Sequence, residues 1–146
     1  MIASKAVARK SSRAEGQART FTNVPGASAV FLEGNVTYSN AAKTRALGVP
    51  VELLNRVGAV SHEVALAMAE GARARSGATY ALSTTGIAGP DGGTPEKPVG
   101  TVFVGLASEH GPSQVQELFF PTDRATFKQM VTQSALDLLR KVISIQ

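Results

Sequence analysis

A lysine at the start of a predicted helix is the first residue of this chain whose position suggests chemistry. The stretch Tyr38-Ser39-Asn40-Ala41-Ala42-Lys43 follows a strand-like run, and Asn40 is the expected N-cap of a helix. Lys43 would then be the third helical residue, where the helix macrodipole opposes a cation and lowers its pKa. A lysine with a lowered pKa can act as a general base at neutral pH. The alternative is an exposed lysine that points into water.

A glycine- and proline-rich stretch is the second such feature. Residues 84–101 have the sequence TTGIAGPDGGTPEKPVGT, and five of the chain's fourteen glycines lie between Gly86 and Gly100. Apolar runs on both sides predict a long loop held between two buried strands, and such loops are usually functional or disordered. Glycines let backbone N–H groups converge on an anion or a developing oxyanion. The alternative is a structural loop that binds nothing. The spacing matches neither the dinucleotide fingerprint nor the P-loop.

Several hydroxyl groups could serve as a nucleophile for that base. A serine or threonine nucleophile needs an adjacent base and donors for the oxyanion. Lys43 could be the base, and the amides of residues 86–93 could be the donors. Spacing alone does not identify the hydroxyl that attacks. The candidates are Ser11, Ser12, Ser39, Thr84 and Thr85.

Composition limits the other classes of site. The chain has 146 residues, enough for one domain with its own core, and contains no cysteine. Disulfides, thiolate nucleophiles and cysteine-bound zinc are therefore excluded. The histidines, His62 and His110, lack metal-ligand spacing and receive no role, so we expect neither a metal nor a cofactor. No apolar run is long enough to span a bilayer, and no secretory signal is present. We expect a cytoplasmic protein with no membrane partner.

The net charge of +4 is concentrated at the N-terminus. Residues 1–20 carry five basic side chains and one acidic side chain, so residues 21–146 carry ten of each and are neutral. A neutral body argues against a nucleic-acid-binding face. We predict an atypical basic leader at residues 1–20, which is disordered, similar to a transit peptide or non-native. Residues 21–146 are predicted to form the folded domain.

The order of predicted elements defines the fold class. Turn residues and hydrophobic periodicity predict one strand, three helices, three further strands and a final helix capped by Asp123. This order predicts an α/β fold, a three-layer sandwich around a mixed sheet. The predicted strands cover residues 29–37, 79–84, 101–107 and 115–120. The predicted helices cover residues 40–47, 50–58 and 61–76 and the segment after Asp123.

Three stretches together resemble one family. They are residues 24–31 (VPGASAVF), residues 36–43 (VTYSNAAK) and the glycine-rich loop. The family is the C-terminal domain of the competence/damage-inducible protein CinA, also found alone as nicotinamide-nucleotide amidohydrolase. The resemblance runs from about Thr22 to the C-terminus. It implies a three-layer α/β/α fold with a five-stranded mixed sheet, a small-molecule nucleotide substrate and a homo-oligomer.

The resemblance also implies an activity and a set of site residues. The activity is hydrolysis of nicotinamide mononucleotide to nicotinate mononucleotide and ammonia, without a cofactor. In the family a serine within Ser-Cys-Thr-Gly-Gly is the nucleophile, and its position aligns with Ser11. Tyr38 and Lys43 match the assisting tyrosine and lysine. The substrate-binding residues expected from the resemblance are Ser39, Asn40, Thr85, Gly86, Gly89, Gly92 and Gly93.

The nucleophile motif departs from the family pattern. Residues 10–15 are KSSRAE, where the family has Glu-Ser-Cys-Thr-Gly-Gly. Both glycines are replaced, and the first helix and much of the first strand have no evident counterpart. Three hypotheses remain open. They are an active amidohydrolase, an inactive nucleotide-binding or interaction module, and a truncated product that folds poorly because a central strand is lost.

Overall fold

The computed structural model describes residues 6–9 and 19–145. Residues 19–22 form a helical turn, and Ala27–Ala29 form a short 3-10 turn. The strands are β1 (Ala6–Arg9), β2 (Phe31–Asn35), β3 (Tyr80–Gly86), β4 (Thr101–Ser108) and β5 (Gln114–Phe119). The helices are α1 (Asn40–Leu47), α2 (Val51–Val57), α3 (His62–Ser76) and α4 (Arg124–Ser144).

The five strands form one mixed sheet in the order β2-β1-β3-β4-β5. Strand β1 is parallel to β2 and β3, and the pairs β3–β4 and β4–β5 are antiparallel. Helices α1, α2 and α3 supply the core on one face, and α4 supplies the core on the other. The predicted three-layer α/β/α fold with a five-stranded mixed sheet is therefore confirmed.

A central strand lies within the predicted leader, which corrects the expectation that this strand is lost. In β1, Ala6 is paired with Phe31 and Tyr80, and Arg9 is paired with Asn35 and Ser83. The sequence did not predict this strand because its Ala-Val-Ala run is short and lies among charged residues. Since β2 and β3 supply backbone hydrogen-bond partners on both sides, four residues are enough to form the strand. Residues 1–5 and 10–18 of the predicted leader lie outside the described residues.

The boundaries of α3 and the start of α4 follow the caps that the sequence predicts. The Ser61 hydroxyl accepts from Val64 N at the start of α3, and Gly77 ends this helix in the left-handed conformation. At the start of α4, the Asp123 carboxylate accepts from the amides of Ala125 and Thr126. Of the helices described, none combines the length and the hydropathy that a bilayer crossing requires.

The described parts of the two connections among the parallel strands lie on opposite faces of the sheet. The connection from β1 to β2 packs Phe21 against the cluster of Tyr80, Leu82 and α4 side chains. The connection from β2 to β3 contains α1, α2 and α3 on the other face. The chain moves from β1 to one neighbour, β2, and then crosses to the other neighbour, β3, so the direction of the connections along the sheet reverses between β1 and β3. In open α/β sheets, the crevice outside the carboxyl ends of the strands at such a point is the usual ligand site.

Candidate active site

The carboxyl edge of the parallel strands brings three segments together. Residues 36–39 leave β2 and enter α1, and residues 87–100 leave β3 and return as β4. Strand β5 runs in the same direction as β3, so it ends at this edge and places the start of α4 there. The predicted lysine, the predicted tyrosine and the glycine-rich loop therefore lie at one edge of the sheet.

The N-cap of α1 is Ser39, which corrects the prediction of Asn40. Ser39 has an extended backbone (φ −86°, ψ 160°), and its hydroxyl accepts from Ala42 N at 3.1 Å. Asn40 is instead the first helical residue. Lys43 is consequently the fourth helical residue, one place further from the helix terminus than predicted. The macrodipole acts mainly within the first turn, so its effect on the pKa of Lys43 is smaller than expected.

Lys43 is buried, with only 4% of its surface exposed. Its Nζ donates to the carbonyl oxygens of Thr37 at 3.0 Å and Tyr38 at 3.4 Å. Burial lowers the pKa of Lys43 by desolvating the ammonium form. The alternative of an exposed lysine is therefore wrong. A neutral amine can give its two hydrogens to these carbonyls and keep its lone pair to accept a proton, which is the geometry of a general base.

The glycine-rich loop has a backbone that other residues would not permit. Gly89 and Gly92 have φ values of 71° and 92°, in the region that favours glycine. A Cβ on Gly93 would lie 2.7 Å from the backbone nitrogen of Val99. Within the described part of the chain, the N–H groups of Gly89, Gly92 and Gly93 donate to no protein acceptor. These amides have the character of oxyanion or phosphate donors.

The loop is anchored at its base and at two points along its length. At the base, Ile87 N donates to Thr101 O, and Gly100 N donates to Ile87 O, both at 2.8 Å. The Lys97 ammonium donates to Val57 O at 2.9 Å, which ties the loop to the end of α2. On the other side, Arg124 Nη1 donates to Gly89 O at 3.1 Å. The loop is thus attached to helices from both layers.

Arg124 is a site residue that the sequence analysis missed. Its Nη2 donates to the Tyr38 hydroxyl at 3.4 Å, while its Nη1 donates to Gly89 O. Arg124 thereby joins the segment that carries Tyr38 and Lys43 to the glycine-rich loop. A sequence signal was available, because a cation directly after the Asp123 N-cap opposes the α4 macrodipole.

The other predicted site residues occupy different settings. The Thr85 hydroxyl is buried and donates to Ala59 O at 2.7 Å, so it fixes the turn before α3. Gly86 allows close packing, since a Cβ there would lie 2.6 Å from Thr101 O. His62 is exposed, and His110 lies edge-on to Tyr80 with ring centroids 6.3 Å apart. The predicted nucleophile Ser11, together with Ser12, lies outside the described residues.

Two buried hydroxyls near this edge have no hydrogen-bond partner among the described residues. They are Oγ1 of Thr37, at the exit from β2, and Oγ1 of Thr84, near the end of β3. Both residues are almost fully buried, with 1% and 0% of their surface exposed. A buried hydroxyl without a partner costs about 1–3 kcal/mol. A third such hydroxyl in the described residues, on Thr44, lies within α1, so two of the three lie where the sheet topology places a ligand site.

Comparisons with known proteins agree with this architecture. The model of the CinA C-terminal domain family matches residues 6–143. A CinA-like protein from Akkermansia muciniphila is 55% identical over 119 residues, covering 82% of this chain and 29% of that protein. A putative competence-damage inducible protein from Caldicellulosiruptor saccharolyticus is 53% identical over 122 residues, covering 84% of this chain and 29% of that protein. The chain thus spans less than a third of the length of these relatives.

Solved structures share the same fold. The competence/damage inducible protein CihA from Agrobacterium tumefaciens superposes with a TM-score of 0.92 at 38% identity, covering 95% of this chain and 85% of that chain. A CinA superfamily protein from Escherichia coli superposes with a TM-score of 0.90 at 28% identity, covering 96% of this chain and 81% of that chain. The family match covers nearly the whole sequence, including β1. This chain belongs to the CinA C-terminal domain family.

Proposed function

We propose that this domain is a nicotinamide-nucleotide amidohydrolase that converts nicotinamide mononucleotide to nicotinate mononucleotide and ammonia. The observation that carries the proposal is Lys43, a buried lysine with a lowered pKa at the carboxyl edge of the sheet. Amide hydrolysis by a hydroxyl nucleophile needs a base that is neutral near pH 7. It also needs donors for the oxyanion, which the amides of Gly89, Gly92 and Gly93 can supply.

The proposed reaction has two halves. Lys43, assisted by the Tyr38 hydroxyl, takes the proton of Ser11 Oγ as the oxygen attacks the carboxamide carbon. Lys43 returns this proton to the departing nitrogen, and the C–N bond breaks. Ammonia departs, and the nucleotide remains bound to Ser11 as an ester. Water then attacks the ester carbon and gives a proton to Lys43. The ester bond breaks, the nucleotide leaves as its carboxylate, and Ser11 regains a proton.

Chain connectivity supports Ser11 as the nucleophile. Strand β1 ends at Arg9, which is paired with Ser83 of β3. Ser11 follows two residues later, and two residues of extended chain span at most about 7 Å. The described end of β1, two residues before Ser11 in the sequence, lies at the carboxyl edge with Lys43, Tyr38 and the loop, and this supports the choice of Ser11.

A second candidate function is a nucleotide-binding module without catalysis. Arg13 and Glu15 stand close after Ser11, where the family motif has glycines and small residues. Bulk and charge at these places oppose a close approach of the backbone to a substrate. The fold, the loop and Lys43 would then serve binding alone.

One experiment separates the two functions. The full chain is incubated with nicotinamide mononucleotide, and both ammonia and nicotinate mononucleotide are quantified. The amidohydrolase proposal predicts equal amounts of both products. It also predicts that Lys43→Met abolishes turnover, since methionine keeps the packing of the side chain and removes the base. Lys141→Met is the matched control, because Lys141 is 59% exposed near the far end of α4.

The alternative outcome is equally specific. If the nucleotide raises the melting temperature of the wild-type chain and no ammonia forms, the chain is a binding module. If the nucleotide neither stabilises the chain nor is hydrolysed, both candidate functions are rejected.

A further inference from the structure

We propose that the cavity between α1 and α2 is a second binding site, which takes a small aliphatic carboxylate through the Thr44 hydroxyl and the Arg45 guanidinium. The cavity lies on a different face of α1 from Lys43, so it is separate from the candidate active site. This inference goes beyond the proposed function and does not depend on it, because it concerns binding and not turnover.

The cavity has the size and the walls of a small-molecule site. Its volume is about 380 Å³, within the range of about 300–1,000 Å³ that is usual for such sites. Apolar side chains of Ala41, Val51 and Leu54 form its walls. Leu54 is buried and Val51 is 50% exposed, so the cavity extends from the core to the surface. These walls suit a short, branched aliphatic chain.

Thr44 contributes a buried hydroxyl to the cavity, and this hydroxyl has no hydrogen-bond partner among the described residues. A hydroxyl inside a helix commonly donates to the carbonyl four residues earlier. Ser76, Thr132, Ser134 and Ser144 do so in this protein, at 2.7, 2.9, 2.9 and 2.8 Å. Thr44 does not make this bond. Its hydroxyl is therefore left for a ligand, which would satisfy a buried polar group.

Arg45 places a positive charge beside this hydroxyl. Its side chain lines the cavity, is exposed, and makes no hydrogen bond or ion pair with the described residues. A second guanidinium lies close, because Arg75 Nη1 donates to Arg45 O at 2.6 Å. Among the described residues, no acidic side chain lines the cavity. The local charge thus favours an anion, and a carboxylate can accept from both a hydroxyl and a guanidinium.

The helical arrangement separates this cavity from the candidate base. Successive residues of an α-helix are rotated by about 100° around its axis, so Thr44 and Arg45 lie on a different face from Lys43. Lys43 is buried and donates to the carbonyl oxygens of Thr37 and Tyr38. The face that lines the cavity is directed toward α2. A ligand in this cavity would therefore occupy a place other than the carboxyl edge.

The experiment is a titration of the isotope-labelled full chain with isovalerate, followed by the chemical shifts of the backbone amides. Isovalerate combines a branched aliphatic chain with a carboxylate. Isoamyl alcohol has the same carbon skeleton without the charge and is the matched probe, and sodium chloride is the control for ionic strength. We expect saturable shifts in residues 40–47 and 51–57. Isoamyl alcohol should bind about three- to tenfold more weakly, because it makes no hydrogen bond as an anion.

Two variants test the two polar contacts. Arg45→Met and Thr44→Val should each weaken the binding of isovalerate by about three- to tenfold, the effect of losing one hydrogen bond to a charged group. Both substitutions nearly keep the size of the side chain, and the amide spectrum shows directly whether each variant is folded. Arg56→Met is the matched control, because Arg56 also lies in the last turn of its helix and does not line the cavity. It should bind isovalerate as the wild type does.

Several results would overturn the proposal. One is the absence of saturable shifts in α1 and α2. Another is a set of shifts confined to residues 36–39 and 87–100, which would place the carboxylate at the candidate active site. Equal affinities for Arg45→Met and Arg56→Met, or for Thr44→Val and the wild type, would also reject it. Since no part of the test measures turnover, its result is independent of whether the chain hydrolyses nicotinamide mononucleotide.

Discussion

The Lys43 side-chain nitrogen lies 3.0 Å from the carbonyl oxygen of Thr37, inside the protein and not in water. No carboxylate is paired with this amine among the described salt bridges. Desolvation of the charged form is therefore uncompensated by an opposite charge, and it is the cause that lowers the pKa of Lys43. The stability of the domain must then depend on pH through this residue.

The first prediction concerns that pH dependence. A lysine whose folded-state pKa is lowered binds fewer protons when folded than when unfolded. Stability should therefore rise with pH from the lowered pKa of Lys43 up to its ordinary value of 10.5. The Lys43→Met variant should lose this rise. The measurement is the melting temperature of both proteins across that range, with Lys141→Met as an exposed control that keeps the rise. Parallel curves for the wild type and Lys43→Met would contradict the burial argument.

Local patterns predicted most of the fold because its boundaries depend on local chemistry. Ser61 and Asp123 cap their helices with their own side chains, and Gly77 ends α3 in a conformation that suits glycine. Strand β1 escaped prediction because its place depends on pairing with β2 and β3, which are distant in sequence. The local sequence of these four residues does not indicate such long-range pairing.

The candidate site was predictable only in part, for the same reason. The glycine-rich loop and Lys43 carry local signals in composition and in helix position. The burial of Lys43 depends on tertiary packing, so the sequence predicted the direction of its pKa shift and assigned that shift to the helix macrodipole, whereas the cause is desolvation. Arg124 meets its partners only through the folded arrangement of α4, Tyr38 and the loop.

The second prediction compares adjacent threonines of β3. The Thr84 hydroxyl is buried without a partner among the described residues, whereas the Thr85 hydroxyl donates to Ala59 O at 2.7 Å. Thr84→Val should stabilise the protein by about 1 kcal/mol, because it removes an unsatisfied polar group of almost the same shape. Thr85→Val should destabilise it by about 1–3 kcal/mol, because it leaves a carbonyl without its donor. Urea unfolding measures both. Equal changes in the two variants would show that Thr84 has a partner in solution.

The third prediction reverses a general rule for helices. Replacing glycine by alanine inside a helix usually gains about 1 kcal/mol. At Gly71 in α3, however, a Cβ would overlap the backbone carbonyl oxygen of Leu47 at the end of α1. Gly71→Ala should therefore destabilise the protein by about 3 kcal/mol or more, because α1 and α3 must separate. Ala74→Gly, at an exposed position of the same helix, should cost only about 1 kcal/mol. A stable Gly71→Ala variant in urea unfolding would mean that α1 does not pack here as described.

The fourth prediction tests whether the shape of the glycine-rich loop matters for the ligand. A Cβ on Gly93 would lie 2.7 Å from Val99 N and 3.1 Å from Val99 Cγ2, so Gly93→Ala must displace one side of the loop. We expect a cost of about 1–3 kcal/mol in stability and a loss of the thermal shift caused by nicotinamide mononucleotide. Gly111→Ala is the matched control, since a Cβ there would meet nothing within 4 Å. Its stability should change by no more than about 0.5 kcal/mol, and its thermal shift should match the wild type. If Gly93→Ala is destabilised and keeps the full thermal shift, the loop is structural, and the donors for the nucleotide must lie elsewhere on the carboxyl edge.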